Sequence, residues 1–218
     1  MLPIRARIVA GLLTAVVPLA GCADFDNPAA AQGLTRSDLV AQLAAQVGDS
    51  ASLTYSATYQ LAGGRTATIA QAQDPPRSAY RYPGGEVLLT PAATTRCARK
   101  RCTTAAPPAP TSPHPGALFA DAEKAGLAVP AAVQSLLDAA RLDRDMVVDQ
   151  HDTTVAGRHA TCLDLQNVDK AETGAFSTCI TSDGVVGSFT GTLSATRIDV
   201  ALTDYVDRVP ADAFTAPS

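Results

Sequence analysis

Apolar and polar side chains alternate along residues 53–71, whose sequence is LTYSATYQLAGGRTATIAQ. A period of two sends successive side chains to opposite faces of an extended chain, so the pattern is typical of half-buried β-strands. Gly63-Gly64 interrupts the alternation at the point where a hairpin would turn back. The stretch therefore predicts antiparallel strands with one apolar face and one polar face.

Similar short runs continue along the rest of the chain. In the first half they cover residues 77–82, 86–90 and 94–97. In the second half they cover residues 145–156, 158–166, 176–181, 185–192 and 195–205. Asp183-Gly184 lies between two of these runs and is a strong hairpin signal. We therefore expect about ten strands in two antiparallel meanders.

A helical period precedes the first strand. Thr35 suits an N-cap and Asp38 lies three residues later, which is the spacing of a capping box. Leu34 and Leu39 are placed to form the accompanying apolar contact. Gly48 marks the expected end of this helix.

Two more helices are predicted between the meanders, over residues 116–125 and 130–142, and Pro130 suits the first helical position of the second. A proline-rich connector at 104–115 precedes them. Each helix carries one apolar stripe that needs a partner surface. We expect an α+β fold in which the N-terminal helix and the central helical pair lie on the concave face of one curved sheet.

The N-terminus has the three parts of a secretory signal. Arg5 and Arg7 precede an apolar stretch too short to span a bilayer, and Leu19-Ala20-Gly21-Cys22 matches a bacterial lipobox. We expect residues 1–21 to be removed, Cys22 to be acylated, and residues 22–33 to tether a single domain, 34–218. These features predict a cell-membrane lipoprotein on the extracytoplasmic face.

The other four cysteines are an even set in an oxidising compartment, which indicates two disulfides. Three pairings are possible, and we favour Cys97–Cys102 and Cys162–Cys179 because each pair lies in a tight loop or on neighbouring predicted strands. A zinc site is the alternative, but the wide spacing of the second pair argues against it.

Composition excludes several functions. The chain has 17 basic and 21 acidic side chains, which argues against a nucleic-acid partner. His114, His151 and His159 lie in no hydrolase or metal motif. We therefore expect no enzymatic activity, no cofactor and no metal.

A basic cluster stands out on this acidic protein. Arg96, Arg99, Lys100 and Arg101 lie in and beside the loop that Cys97 and Cys102 would close. The cluster is either a contact for anionic headgroups or an acidic partner, or a solvated disulfide loop.

The combination of lipobox, helix, meander, helical pair and second meander resembles the actinobacterial LolA-like envelope lipoproteins of the LppX and LprG type. The closest local likeness is the run from Ser177 to Val185, STCITSDGV, followed by Ser188-Phe189 and by an Asp212-x-Phe214-x-x-Pro217 tail. The resemblance implies a half-barrel fold and a non-enzymatic protein.

What the resemblance further implies is an apolar ligand, such as a lipid, a glycolipid or an acylated lipoprotein, between the sheet and the helices. On that basis we expect the ligand to contact Tyr55, Tyr59, Leu118, Phe119, Leu136 and Leu137. The alternative function is an envelope sensor or protein-interaction domain with a filled core.

The anchor can be tested directly. Cys22→Ser removes the thiol that is acylated, so this variant should incorporate no labelled palmitate. It should also keep its N-terminal segment, since the lipoprotein-specific peptidase cuts before a lipidated cysteine; intact-mass spectrometry measures both changes. Cys162→Ser is the control and should remain labelled, whereas palmitate on Cys22→Ser would refute the lipobox.

Overall fold

The computed structural model describes residues 35–99, 101–107 and 116–215. The three helices are α1 (Arg36–Asp49), α2 (Gly116–Lys124) and α3 (Pro130–Ala140). Six strands lie between α1 and α2: β1 (Tyr55–Leu61), β2 (Thr66–Gln73), β3 (Pro76–Tyr82), β4 (Gly85–Leu89), β5 (Thr94–Ala98) and β6 (Arg101–Ala105). Five follow α3: β7 (Val147–Val155), β8 (Arg158–Gln166), β9 (Ala175–Thr181), β10 (Val186–Leu193) and β11 (Thr196–Val206).

All eleven strands form one antiparallel sheet in the order β6-β5-β4-β3-β2-β1-β11-β10-β9-β8-β7. Each meander is continuous, and the pairing of β1 with β11 joins the two. The sheet curves without closing, so β6 and β7 are its edges. The predicted α+β half-barrel is confirmed.

The strand β6 corrects one expectation. The sequence predicted about ten strands and placed residues 104–115 in a connector, whereas Thr104 and Ala105 pair with β5. The side chains of β6 are exposed throughout and show no alternation, so periodicity had no signal to detect there. Its register with β5 is set by Cys97, which lies opposite Cys102.

The concave face of the sheet carries the main core. Along β1, Tyr55, Ala57, Tyr59 and Leu61 are buried while the alternate side chains are more exposed, as the period of two predicts. The apolar stripes of the helices close over this face, and α1 and α3 contribute eight buried residues between them: Val40, Leu43, Ala44, Val47, Val133, Leu136, Leu137 and Ala140. Removing this apolar surface from water is the main source of stability.

The start of α1 is capped as predicted. The Asp38 amide donates to Thr35 Oγ1 (3.2 Å), and the Thr35 amide donates to Asp38 Oδ2 (3.1 Å). This reciprocal pair satisfies two backbone donors that the first turn leaves without helical partners. The helix ends at Asp49, one residue beyond the predicted Gly48, and a 3₁₀ turn leads to β1. Leu34 lies outside the described residues.

The C-terminal segment crosses the outer face of the sheet. Ala213 is buried there among alanine and leucine side chains of β2, β3 and β4. Arg81 donates to the carbonyls of Asp212 and Thr215 (3.0 and 3.1 Å), and the Arg77 guanidinium lies 4.3 Å from the ring centre of Phe214. A small apolar cluster thus protects part of the convex face from water.

Both disulfides are present in the pairing predicted from the sequence. Cys97 and Cys102 are opposite each other on β5 and β6, and Cys162 and Cys179 are opposite each other on β8 and β9. The first bridge therefore links neighbouring strands of the first meander, and the second bridge links neighbouring strands of the second meander. The four sulfur atoms are consumed in these bonds, which removes the ligands that a zinc site would have needed.

The end of α1 contacts the β9–β10 hairpin closely. Gly184 has a φ of +81°, and a Cβ on this residue would overlap the Gln46 carbonyl of α1. Gly157 in the β7–β8 turn has a similar φ of +77°, but a Cβ there would meet no atom within 4 Å. The two glycines therefore share a backbone requirement and differ in whether a helix lies against them.

This difference predicts unequal costs of substitution. Gly157→Ala should lower the free energy of unfolding by about 1 kcal/mol through its left-handed backbone alone. Gly184→Ala should lower it by about 3 kcal/mol, because α1 must also move away from the hairpin. Denaturant unfolding of both variants measures the difference, and equal losses would show that the α1 contact contributes nothing.

Candidate ligand-binding groove

An open groove of about 770 Å³ lies between the central helices and one end of the second meander. Its apolar walls come from Phe119 of α2, from Leu136 of α3 and the preceding Val129, and from Leu193 at the end of β10. Its polar lining includes Lys170 and Glu172 of the β8–β9 loop at the rim, with Gln134, Ser135, Asp138, Thr192, Ser194 and the buried Glu123. Its volume falls in the range of about 300–1,000 Å³ that is usual for small-molecule sites.

Small side chains on α3 leave room for the groove. Ala131, Ala132 and Ala139 line it and are all half-buried. The opposite side of the helix carries Val133, Leu137 and Ala140 into the core. The small side chains on this side of α3 thus leave open space beside the helix.

The β10–β11 turn forms one end of the groove in an unusual conformation. Its two central residues, Ser194 and Ala195, have φ values of +49° and +58° although neither is glycine. This geometry suits the twist of a two-residue hairpin but disfavours residues with a Cβ. Contacts from outside the hairpin therefore have to stabilise the turn.

Two carboxylates make those contacts. The Ser194 hydroxyl donates to Glu123 of α2, and the Ala195 amide donates to both carboxylate oxygens of Glu172 at 3.0 and 2.9 Å. Hydrogen bonds to a charged acceptor are stronger than those between neutral groups. The hairpin turn is consequently joined both to the wall of the groove and to its rim.

Glu123 is a buried acid, with 3% of its surface exposed. Burial disfavours its charged form and raises the pKa of its carboxyl group above the ordinary value; the Ser194 hydrogen bond opposes this shift, and the nearby Glu172 adds to it. The groove therefore contains an acidic group that holds its proton more tightly than a surface glutamate does.

The helix α2 is attached to the sheet on two sides. Arg96 of β5 contacts Asp121 with a nitrogen–oxygen distance of 3.4 Å, and Lys124 lies 3.9 Å from the other oxygen of Asp121. Glu123, two residues along, faces a different side of the helix and contacts Ser194. Tyr80 of β3 meets Phe119 edge to face, with 4.6 Å between ring centres. These contacts fix the position of α2, whose Phe119 forms part of the groove wall.

The predicted ligand-contacting residues separate into two groups. Phe119 and Leu136 line the groove. Tyr55, Tyr59 and Leu137 are buried in the core beneath the helices and do not line the groove. Leu118 is half-buried and packs against that core. Their role in binding a ligand stays a prediction.

Reasoning from the sequence missed most of the groove. Leu193, Ser194, Lys170 and Glu172 come from a strand end and from loops, where no periodic pattern marks a binding residue. A surplus of small side chains on α3 was the one usable signal, since it shows where a helix cannot fill the space beside it. Alternation predicted the burial of the Tyr59 ring but not the state of its hydroxyl, which is buried with no hydrogen-bond partner among the described residues; burial raises the pKa of this hydroxyl.

The histidines, which were the other candidate catalytic residues, do not line the groove where the structure describes them. His151 and His159 are exposed and lie 4.0 and 3.9 Å from Asp164 and Asp152, while His114 lies outside the described residues. The Ser177 hydroxyl donates to Asp164, so the acid and not a histidine contacts this hydroxyl. A histidine base has to contact the nucleophile that it activates, so this arrangement is not a catalytic triad.

Within residues 35–99, 101–107 and 116–215, no three histidine, cysteine or acidic side chains converge as a metal site would require. None of the helices in the same residues is long and apolar enough to cross a membrane. The groove has a more extensive apolar lining than two other surface depressions, one beside β2 and β3 and one beside β8 and β9, and we take it as the candidate ligand site.

Known proteins similar to this chain are found by structure and not by sequence. No family model and no curated protein sequence matches the chain. A solved structure of an uncharacterized conserved protein from Thermus thermophilus is similar at 11% identity and a TM-score of 0.44, covering 80% of this chain and 96% of its own. LprF from Mycobacterium bovis is similar at 10% identity and a TM-score of 0.33, covering 78% and 95%.

The half-barrel fold that the resemblance implied is present in this chain. The half-barrel itself is established by this chain's own strand order and by the helices on its concave face. Neither likeness specifies a ligand for this protein.

The buried Glu123 predicts a dependence of stability on pH. Its pKa is raised in the folded state, so the folded protein binds the proton more tightly than the unfolded chain does. Stability from this group is complete below the unfolded carboxyl pKa and is lost as pH rises through the folded one. Glu123→Gln keeps an acceptor for Ser194 and should remove this loss, which melting temperatures across that pH window measure.

Glu172→Gln is the comparison, because it removes the other carboxylate that contacts the β10–β11 turn and leaves Glu123 buried. Its melting temperature should still fall as pH rises through the window, though by less, since burial is the larger cause of the raised Glu123 pKa and the Glu172 charge only adds to it. If the melting temperature of Glu123→Gln falls with pH as steeply as that of the wild type, Glu123 is not the cause of the loss of stability.

Proposed function

We propose that the protein is a non-enzymatic envelope lipoprotein, anchored through Cys22 on the extracytoplasmic face of the cell membrane, that holds an apolar ligand in the groove beside α3. The ligand class is a lipid, a glycolipid or an acylated lipoprotein, and the part that binds is an acyl chain. Binding is passive, because each CH₂ group that leaves water contributes about 0.8 kcal/mol.

The groove is the observation that carries this proposal. It combines apolar walls from Phe119, Leu136 and Leu193 with a polar rim, which suits a molecule with an apolar chain and a polar end. Tyr55 and Tyr59 are each 1% exposed in the core under the helices, and neither lines this groove. We therefore place the acyl chain along the outer side of α3.

The alternative function is an envelope sensor or protein-interaction domain. Two large apolar side chains favour it: Leu142 is 70% exposed after α3, and Val147 is 37% exposed at the start of β7. Apolar side chains on a surface are common individually, so this pair is weaker support than the groove.

Blocking the groove tests the proposal. Ala132→Trp places a large ring into the space beside α3, whereas Ala45→Trp makes the same change on the exposed side of α1. The mature chain without its lipid should yield a co-purifying lipid by extraction and mass spectrometry. Ala132→Trp should weaken binding of a fluorescent fatty acid by about tenfold or more, or ~1.4 kcal/mol, and Ala45→Trp should bind as the wild type does.

Two outcomes contradict the proposal. One is the absence of any extracted lipid together with no measurable fatty-acid binding by the wild type. The other is equal affinity in the two tryptophan variants, which would place any lipid elsewhere. Thermal melts of both variants establish that the comparison is between folded proteins.

A further inference from the structure

The turn between β5 and β6 concentrates positive charge on an acidic protein. The sequence from Arg96 to Arg101 is RCARKR, with four basic side chains and no acidic one, in a chain whose formal net charge is −4. We call Arg96, Arg99 and Arg101 the basic hairpin tip; Lys100 lies outside the described residues.

The charges of the basic hairpin tip are available to a partner. Arg99 and Arg101 are exposed, and neither forms a salt bridge with another of the described residues. Arg96 is the exception, since it contacts Asp121 of α2. Two exposed cations therefore project beside a third that is neutralised by the helix.

The backbone of the tip is held in place from three directions. The Cys97–Cys102 disulfide joins its two strands. The Arg99 amide donates to the Gly84 carbonyl of the neighbouring β3–β4 turn at 3.1 Å, and Gly85 lies so close to Cys97 that a Cβ would stand 2.7 Å from its carbonyl. Arg99 itself keeps a left-handed φ of +48°, which few non-glycine residues adopt. These contacts hold the backbone at Cys97 and Arg99, from which the charged side chains extend.

The strand order puts the tip and the groove at the same end of the sheet. Because neighbouring strands are antiparallel throughout, β5, β8 and β10 all run in one direction and end at one edge of the half-barrel. The β5–β6 turn therefore lies at the end that holds the β8–β9 loop and the β10–β11 turn, both of which line the groove.

The helix α2 connects the two features. Asp121 contacts Arg96 of the tip, and Glu123 contacts Ser194 of the groove. Because a helix has 3.6 residues per turn, Asp121 and Glu123 face nearly opposite sides of α2. The tip and the mouth of the groove therefore lie on opposite sides of this helix.

We propose that the basic hairpin tip docks this end of the protein onto an anionic membrane surface through lipid phosphate groups. Exposed arginines are attracted to such a surface over about one Debye length, and their guanidinium groups match phosphate geometry. Docking by this tip turns the mouth of the groove toward the bilayer. The proposal concerns a surface and does not require the groove to be occupied.

Vesicle binding of the unlipidated mature chain tests this docking, since the lipid on Cys22 would mask it. Co-sedimentation is measured with vesicles of phosphatidylcholine alone and with an equimolar mixture of phosphatidylcholine and phosphatidylglycerol. The wild type should bind the mixture and not the neutral vesicles, and binding should weaken as salt is raised to about 0.15 M. Arg99→Asn, which tolerates the left-handed backbone, should lower the partition coefficient about fivefold.

Charge reversal at two ends of the sheet provides the matched comparison. Arg101→Glu reverses one exposed charge at the tip, and Arg208→Glu makes the same change in an exposed residue after β11, at the opposite end. Arg101→Glu should lower the partition coefficient more than tenfold, while Arg208→Glu should bind close to the wild-type level.

Three results overturn the proposal: no binding of the wild type to the anionic vesicles, equal binding to both kinds of vesicle, or equal losses in the two glutamate variants. The Ala132→Trp variant separates this test from that of the groove. It should bind anionic vesicles as the wild type does even though its groove is blocked, so each proposal can fail alone.

Discussion

Strands β1 and β11 are hydrogen-bonded neighbours although 145 residues separate Thr58 from Thr203, whose hydroxyl donates to the Thr58 carbonyl. This pairing joins two meanders that each consist of local hairpins. It also creates the long curved face on which the three helices bury their apolar stripes. Neither meander alone offers a surface of that extent, so the core depends on a contact between the two ends of the domain.

The groove is a consequence of how the helices cover that face. The helices α1 and α3 fill the space above the centre of the sheet, and α2 is fastened between β5 on one side and the β10–β11 turn on the other. Alanines on the outer side of α3 leave the remaining space unfilled. A buried acid and a left-handed turn meet at its end, where Glu123 and Glu172 stabilise a backbone that Ser194 and Ala195 would otherwise disfavour. The groove is thus built from the same contacts that hold α2 in place.

The edges and the ends of the sheet divide its surface into regions of different character. The edge strands β6 and β7 are exposed and polar, and β7 carries Asp149 and Asp152, which discourages pairing with another strand. The end formed by the β5–β6, β8–β9 and β10–β11 connections combines the groove with the basic hairpin tip.

The sequence by itself determined the local structure. Alternation at Tyr55, Ala57 and Tyr59 predicted a half-buried strand, and Thr35 with Asp38 predicted the start of α1, because these signals depend on neighbours a few residues apart. The apolar stripes also predicted that helices cover the concave face, but not which side chains a helix would cover and which would border open space. Only the tertiary structure decided that, and only it brought Leu136, Leu193 and Glu123 together, since they come from distant segments and share no periodicity. Local order follows from backbone geometry, whereas a groove is the space that packing leaves, and packing depends on every element at once.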